Sequence, residues 1–160
     1  MSYASRKLFT GKHCYIKIAS ATAGLDSADI IKLSSLKLRF GKNLIDAPMY
    51  NTLSAEAIWN QAIEISGSFE LQYESRVFHD YVKDGDTKAM RIRFKSNELI
   101  GRTSMPQFTL DLSNVVFDMW DPRKPNDNIT SQIINFKALY DDTNENIVNN
   151  CQLINEISSY

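Results

Sequence analysis

The sequence predicts a mainly β protein, an antiparallel β-sandwich or barrel with one short helix and a long loop. Three observations predict it: apolar and polar residues alternate strictly over most of the chain, helical periodicity occurs only near the middle, and the βαβ rhythm of a parallel sheet is missing. At 160 residues, one domain spanning 1–160 is expected, with about the first 12 and the last few residues as arms.

The alternation opens with Cys14-Tyr15-Ile16-Lys17-Ile18 and resumes over 31–40, where Leu36, Leu38 and Phe40 interleave with Lys37 and Arg39. Ser34-Ser35 shifts the phase between Ile31 and Leu36, which predicts a bulge. Residues 41–60 lose the pattern and read as a long loop, with a helical turn over 55–59. Leu44, Ile45, Met49, Tyr50, Leu53, Ile58 and Trp59 are too many apolar residues for a solvated connection. Two readings follow: the loop folds back on its own core, or it docks on another subunit.

Residues 62–72 give the cleanest strand. Ile63, Ile65, Phe69 and Leu71 point to the core, while Glu64, Ser66, Ser68, Glu70 and Gln72 point to water. A helix over 76–83 follows, capped by Ser75 and ended by Gly85, with Val77, Phe78, Tyr81 and Val82 as its apolar face. Further strands are expected at 90–94, 108–112, 115–120, 129–140 and 147–157. In 129–140, Ile134, Phe136, Ala138 and Tyr140 share one face, and the opposite face also carries Ile129, Ile133 and Leu139. A strand apolar on both faces suits one covered by a neighbour.

Catalysis finds little support, and no enzyme is expected. Only His13 and His79 supply imidazoles, and neither has the partner a base or metal site needs. His13-Cys14 is half of a soft-metal site with no second pair nearby. Asp84-Gly85-Asp86 opens like a calcium loop but lacks the later ligands, so it reads as a turn. Glu64 and Glu70 lie roughly 20 Å apart along a strand, too far to act on one bond. The glycines are scattered, so no phosphate-cradling loop or dinucleotide fingerprint is present, and no cofactor or metal is expected.

Eighteen basic against nineteen acidic residues leave a formal charge of −1, so no overall field draws the chain to nucleic acid or an anionic membrane. No apolar run approaches the roughly 20 residues of a membrane span, and the first residues lack a signal-peptide core. Cys14 and Cys151 form no CxxC pair; reduced thiols in a cytosolic setting are expected, with a bridge between terminal strands as the alternative.

The stretch Ile65-Ser66-Gly67-Ser68-Phe69-Glu70-Leu71, the following helix and Lys88-Ala89-Met90-Arg91-Ile92-Arg93-Phe94 together resemble the middle of siphophage-type tail tube proteins. Phe108-Thr109-Leu110-Asp111-Leu112, Phe117-Asp118-Met119-Trp120 and the run 129–141 follow that family's order. The resemblance covers about 63–141. It implies a structural virion protein that self-assembles into stacked rings, usually of six, forming a tail tube through which DNA passes. It also implies contact with tape measure, terminator and baseplate proteins, in the virion tail and, during assembly, in the host cytoplasm. The polar side chains Glu64, Ser66, Ser68, Glu70 and Gln72 are then expected to face the lumen, and the 41–60 loop to touch a neighbouring subunit. The alternatives are another part of the same fold, such as a tail terminator, baseplate ring or type VI secretion tube protein, or a monomeric β-sandwich binding module.

Overall fold

Alternation builds the chain as expected: ten strands and one α-helix make up most of the computed structural model, which describes residues 9–47, 57–60, 62–99, 104–123 and 130–155. The strands are β1 (Cys14–Ala19), β2 (Ile31–Lys32), β3 (Ser35–Gly41), β4 (Leu44–Ala47), β5 (Ala57–Asn60), β6 (Glu64–Gln72), β7 (Lys88–Lys95), β8 (Gln107–Arg123), β9 (Ser131–Leu139) and β10 (Val148–Ile154). The helix α1 (Val77–Asp84) lies between β6 and β7. All strand pairs are antiparallel, in the order β2-β1-β7-β8-β9-β6-β3, with β10 added beside β8. No described helix is long and apolar enough to cross a membrane.

Long β8 turns this order into two layers. Val115 pairs with both Lys88 and Ala138, and Leu112 with both Met90 and Val148. A strand has only two edges, so β7 occupies one, while β9 and β10 follow each other along the opposite one. The first half of β8 therefore belongs to a layer with β1, β7 and β10, and its second half to a layer with β9, β6 and β3. Buried Ile16, Met90, Ile92 and Leu110 of the first layer face Ile65, Phe69, Ile134 and Phe136 of the second. Phe78 of α1 packs edge-on against Phe69 and Phe117, with ring centroids 5.5 and 6.0 Å away.

Several boundaries differ from the sequence reading, for physical reasons. The expected strands at 108–112 and 115–120 are one continuous strand, because Ser113 is no turn: it is buried and donates its hydroxyl to Asn146 Oδ1 at 2.7 Å. At 31–40 the phase shift is a break. β2 pairs with β1, and β3 with β6 at the other end of the strand order, so Leu33-Ser34 carries the chain between layers. Residues 41–60 are not simply a loop: β4 and β5 pair with each other, and the expected helical turn is strand from Ala57. Ile63 and Tyr140 are exposed, since β6 begins at Glu64 and β9 ends at Leu139. The helix starts at Val77, with no side-chain cap from Ser75, and ends as expected on Gly85 in the left-handed conformation (φ 68°). Cys14 and Cys151 are both free; β7 and β8 stand between their strands.

Candidate assembly interface

The second layer presents an outer surface built by four strands. Directly paired residues of an antiparallel sheet share a face, and the registers are unbroken: Lys37 lies opposite Ser68 and Arg39 opposite Ser66 across β3–β6, while Ser66 meets Lys137 and Ser68 meets Asn135 across β6–β9. Glu64, Ser66, Ser68, Glu70 and Gln72 thus stand together on the solvent side, while Ile65, Phe69 and Leu71 are buried beneath them.

Neighbouring strands alter the charge of that surface. β3 and β9 add Lys37, Arg39 and Lys137, and β8 adds Arg123, Asp121 and, at a bulge between Phe117 and Met119, Asp118. Four basic side chains therefore balance Glu64, Glu70, Asp118 and Asp121. Taken alone, β6 offers only the carboxylates Glu64 and Glu70 as charges; the registered neighbours supply the cations. Glu64 accepts a hydrogen bond from Lys137 Nζ at 2.9 Å, which holds its carboxyl below the usual range. Arg123 and Asp121 pair at 3.2 Å.

Ile133 and Leu139 lie on this same surface, with Ile133 directly opposite Glu70. In sequence the β6 polar row and the apolar side of β9 stand some 60 residues apart. The register merges them into one face, where Met119 is also exposed. Ile129 lies outside the described residues.

Both lateral edges of the four-stranded layer are open. β3 pairs only with β6, and β8 beyond Val115 pairs only with β9 among the described residues. Unpaired strand edges are hazards unless covered or joined to another chain. Among the described residues β10 likewise has a partner on one edge only.

β4 and β5 form a separate two-stranded sheet, an arm inserted in the chain between β3 and β6, with a one-residue slip in register between Gly41–Glu64 and Leu44–Asn60. Ile45 stands opposite Trp59, and both are exposed, at 48% and 65%. Leu44 is exposed as well. Ile58 belongs to β5 and pairs with Asp46; Met49, Tyr50 and Leu53 lie outside the described residues. Of the two readings for this segment, folding back on the core does not hold for Leu44, Ile45 and Trp59.

The first layer carries an ion cluster that sequence reasoning missed. Arg91 donates to Asp111 through Nε at 2.6 Å and through a terminal nitrogen at 2.9 Å, and it also pairs with Asp26. Asp111 is 3% exposed, so the fork satisfies a buried carboxylate. The alternation of 90–94 placed Arg91 on a polar face, but only the register reveals its partner. No group of three potential metal ligands occurs among the described residues.

No protein-family model matches the sequence, and no curated protein matches it. Solved structures do share its fold. A chain of the sheath–tube complex of an extracellular contractile injection system superposes with TM-score 0.62 at 8% identity, covering 96% of this chain and 99% of that one. A chain of the tube-terminating cap of the anti-feeding prophage gives 0.58 at 8%, covering 86% and 91%. A chain of a native gene transfer agent virion gives 0.53 at 11%, covering 92% and 100%. The fold is the tail-tube-like β fold seen in these particle components.

Proposed function

We propose that this chain is a structural tail tube subunit of the siphophage type, which self-assembles into hexameric rings stacked into a tube that conducts DNA. The observation that carries the proposal is a four-stranded layer with a polar outer face and two open edges. Joining the β3 edge of one copy to the 116–123 edge of β8 in the next removes both edges and continues the sheet around a ring. The polar row Glu64, Ser66, Ser68, Glu70 and Gln72 then lines the lumen. Because Ile133 and Leu139 share that face, the proposal keeps them in the lumen and gives subunit contact to the arm instead.

The fold likeness supports this reading, since related chains occur in a tube complex, a cap and a virion. Head-to-tail contacts close into rings or grow as filaments, so one subunit can do both through different surfaces. Its partners are other copies of itself and the remaining tail components, in the virion and in the host cytoplasm during assembly. Its role in the particle is architectural rather than catalytic.

A second reading, a ring-only part such as a terminator or baseplate component, is favoured by the likeness to a cap chain. Negative-stain electron microscopy over a concentration series separates the two. Unlimited tubes support the tube subunit, single rings support the ring-only part, and a monomer at every concentration overturns both.

A further inference from the structure

A groove of about 1000 Å³ opens between the 27–34 segment, the end of β6 and helix α1. Ile18, Leu33, Leu71, Phe78 and Tyr81 give it apolar walls, and Ile30 and Val77, which also line it, are 56% and 45% exposed. That volume lies at the upper end of the range for small-molecule sites. The proposed tube contacts leave it unused.

One buried polar side chain interrupts this apolar lining. Gln132 of β9 lines the groove while only 1% exposed. Its Oε1 accepts the Trp120 indole N–H at 2.8 Å. An indole nitrogen only donates, so this bond fixes which end of the amide meets Trp120 and leaves the Nε2 amino group over. Among the described residues no acceptor reaches Nε2. Helix α1 adds further donors. Its first backbone bond runs from the Asp80 N–H to the Arg76 carbonyl, and no side chain caps the amides ahead of it. Val77 and Phe78, which carry two of those amides, line the same groove.

Apolar walls with surplus N–H donors call for an apolar molecule that brings an acceptor. The charged lining residues decide which acceptor. A helix N-terminus favours a negative charge, but the carboxylates Asp29 and Glu74 stand against the single ammonium of Lys32 and oppose one. A neutral carbonyl oxygen satisfies the donors without that repulsion. We propose that the groove beside α1 is a binding site for a small, neutral, apolar molecule that presents a carbonyl oxygen, such as an amide, ester or ketone, to Gln132 Nε2. The site goes beyond the tube reading and does not depend on it.

Equilibrium dialysis against three probes with the same eight-carbon chain tests the site, with the protein diluted until sedimentation shows it unassembled. Octanamide is neutral and carries the carbonyl, octanoate carries a charge, and octylammonium has no acceptor. Octanamide is expected to bind about fivefold more tightly than octylammonium, the worth of one hydrogen bond, and more tightly than octanoate. A photoreactive diazirine derivative of octanamide is expected to label peptides from 27–34 or 71–81. Trp120→Phe with Gln132→Met removes both partners of the buried bond and keeps the groove apolar, so it is expected to abolish the preference for octanamide over octylammonium. Octanamide that fails to bind, labels other segments, or binds no better than either companion overturns the proposal. A folded double variant that keeps the preference overturns it as well; should that variant not fold, dialysis and labelling of the wild type still decide. None of these results touches the tube reading, which rests on microscopy.

Discussion

Phe136 stands directly across from Gly67 in the β6–β9 pairing, and its ring occupies the space a side chain at 67 would need. A Cβ built on Gly67 would sit 2.8 Å from Phe136 Cζ and 2.3 Å from the Lys37 carbonyl oxygen. The ring is fully buried, and the carbonyl belongs to a paired strand, so neither can retreat cheaply. Gly67→Ala is expected to cost about 2 kcal/mol through overpacking, read as a lower urea midpoint with an unchanged slope. Wild-type stability would mean that β3 or Phe136 shifts freely.

The fork between Arg91 and Asp111 predicts a strongly non-additive pair. Arg91→Met leaves a buried carboxylate without its cation, at a cost of about 3 kcal/mol, while replacing both partners by apolar residues recovers most of it. Chemical denaturation of Arg91→Met, Asp111→Leu and the double variant measures the coupling. Additive effects would show that Asp111 finds water or another donor once Arg91 is gone.

Acid is expected to weaken the fold through three carboxylates. Hydrogen bonds from Lys137 to Glu64, from Arg91 to Asp26 and from Asn144 to Asp141 hold each below its ordinary range. A lowered folded-state value contributes stability that is complete above the unfolded value, about 4, and is lost as pH falls through the folded one. Melting temperature should therefore hold steady from neutrality to about pH 5 and decline below about pH 4. Glu64→Gln should make that decline shallower, and an unchanged profile in this variant would remove the Lys137 pair from the account.

The two thiols should react at very different rates. Burial pushes the Cys14 thiol up to about 11, whereas Cys151 is exposed on β10. Iodoacetamide at pH 8 is expected to label Cys151 in the native protein and Cys14 only after unfolding, as peptide mass mapping can check. Equal labelling would mean that β1 opens readily.

Much of the layer structure was legible because alternation fixes which side of a strand meets the core: Ile65, Phe69 and Leu71 needed no partner to be placed. Charge was not legible, because it belongs to registers rather than to strands. Lys37 and Arg39 are conspicuous in the sequence, but their position beside Ser66 and Ser68 depends on a pairing that joins residues some 30 positions apart. The arm was hidden for a different reason. β4 and β5 each have only four residues, too few to show a period, and their outward apolar residues contradict the rule that marks a half-buried strand. Ser113 misled in the opposite way, since a polar pair inside a strand looks like a turn unless its buried hydrogen bond is known.

Balanced charge on the β6 face makes the lumen proposal testable in a virion. Around Ser66 and Ser68 the wild-type surface sets Lys37, Arg39, Lys137 and Arg123 against Glu64, Glu70, Asp118 and Asp121, so a phosphate backbone meets no net attraction. Glu64→Lys with Glu70→Lys converts two anions per subunit to cations, repeated around every ring. Both side chains lie on the outer face and away from the core, so assembly is expected to survive. DNA passing such a wall would exchange its counterions for fixed lysines, an attraction that weakens steeply with salt. Tubes carrying both changes should therefore eject DNA more slowly than wild type at low ionic strength and approach its rate as salt rises, measured by dye release from single virions. Ejection at the wild-type rate in low salt would take this strand out of the lumen and turn the four-stranded face outward.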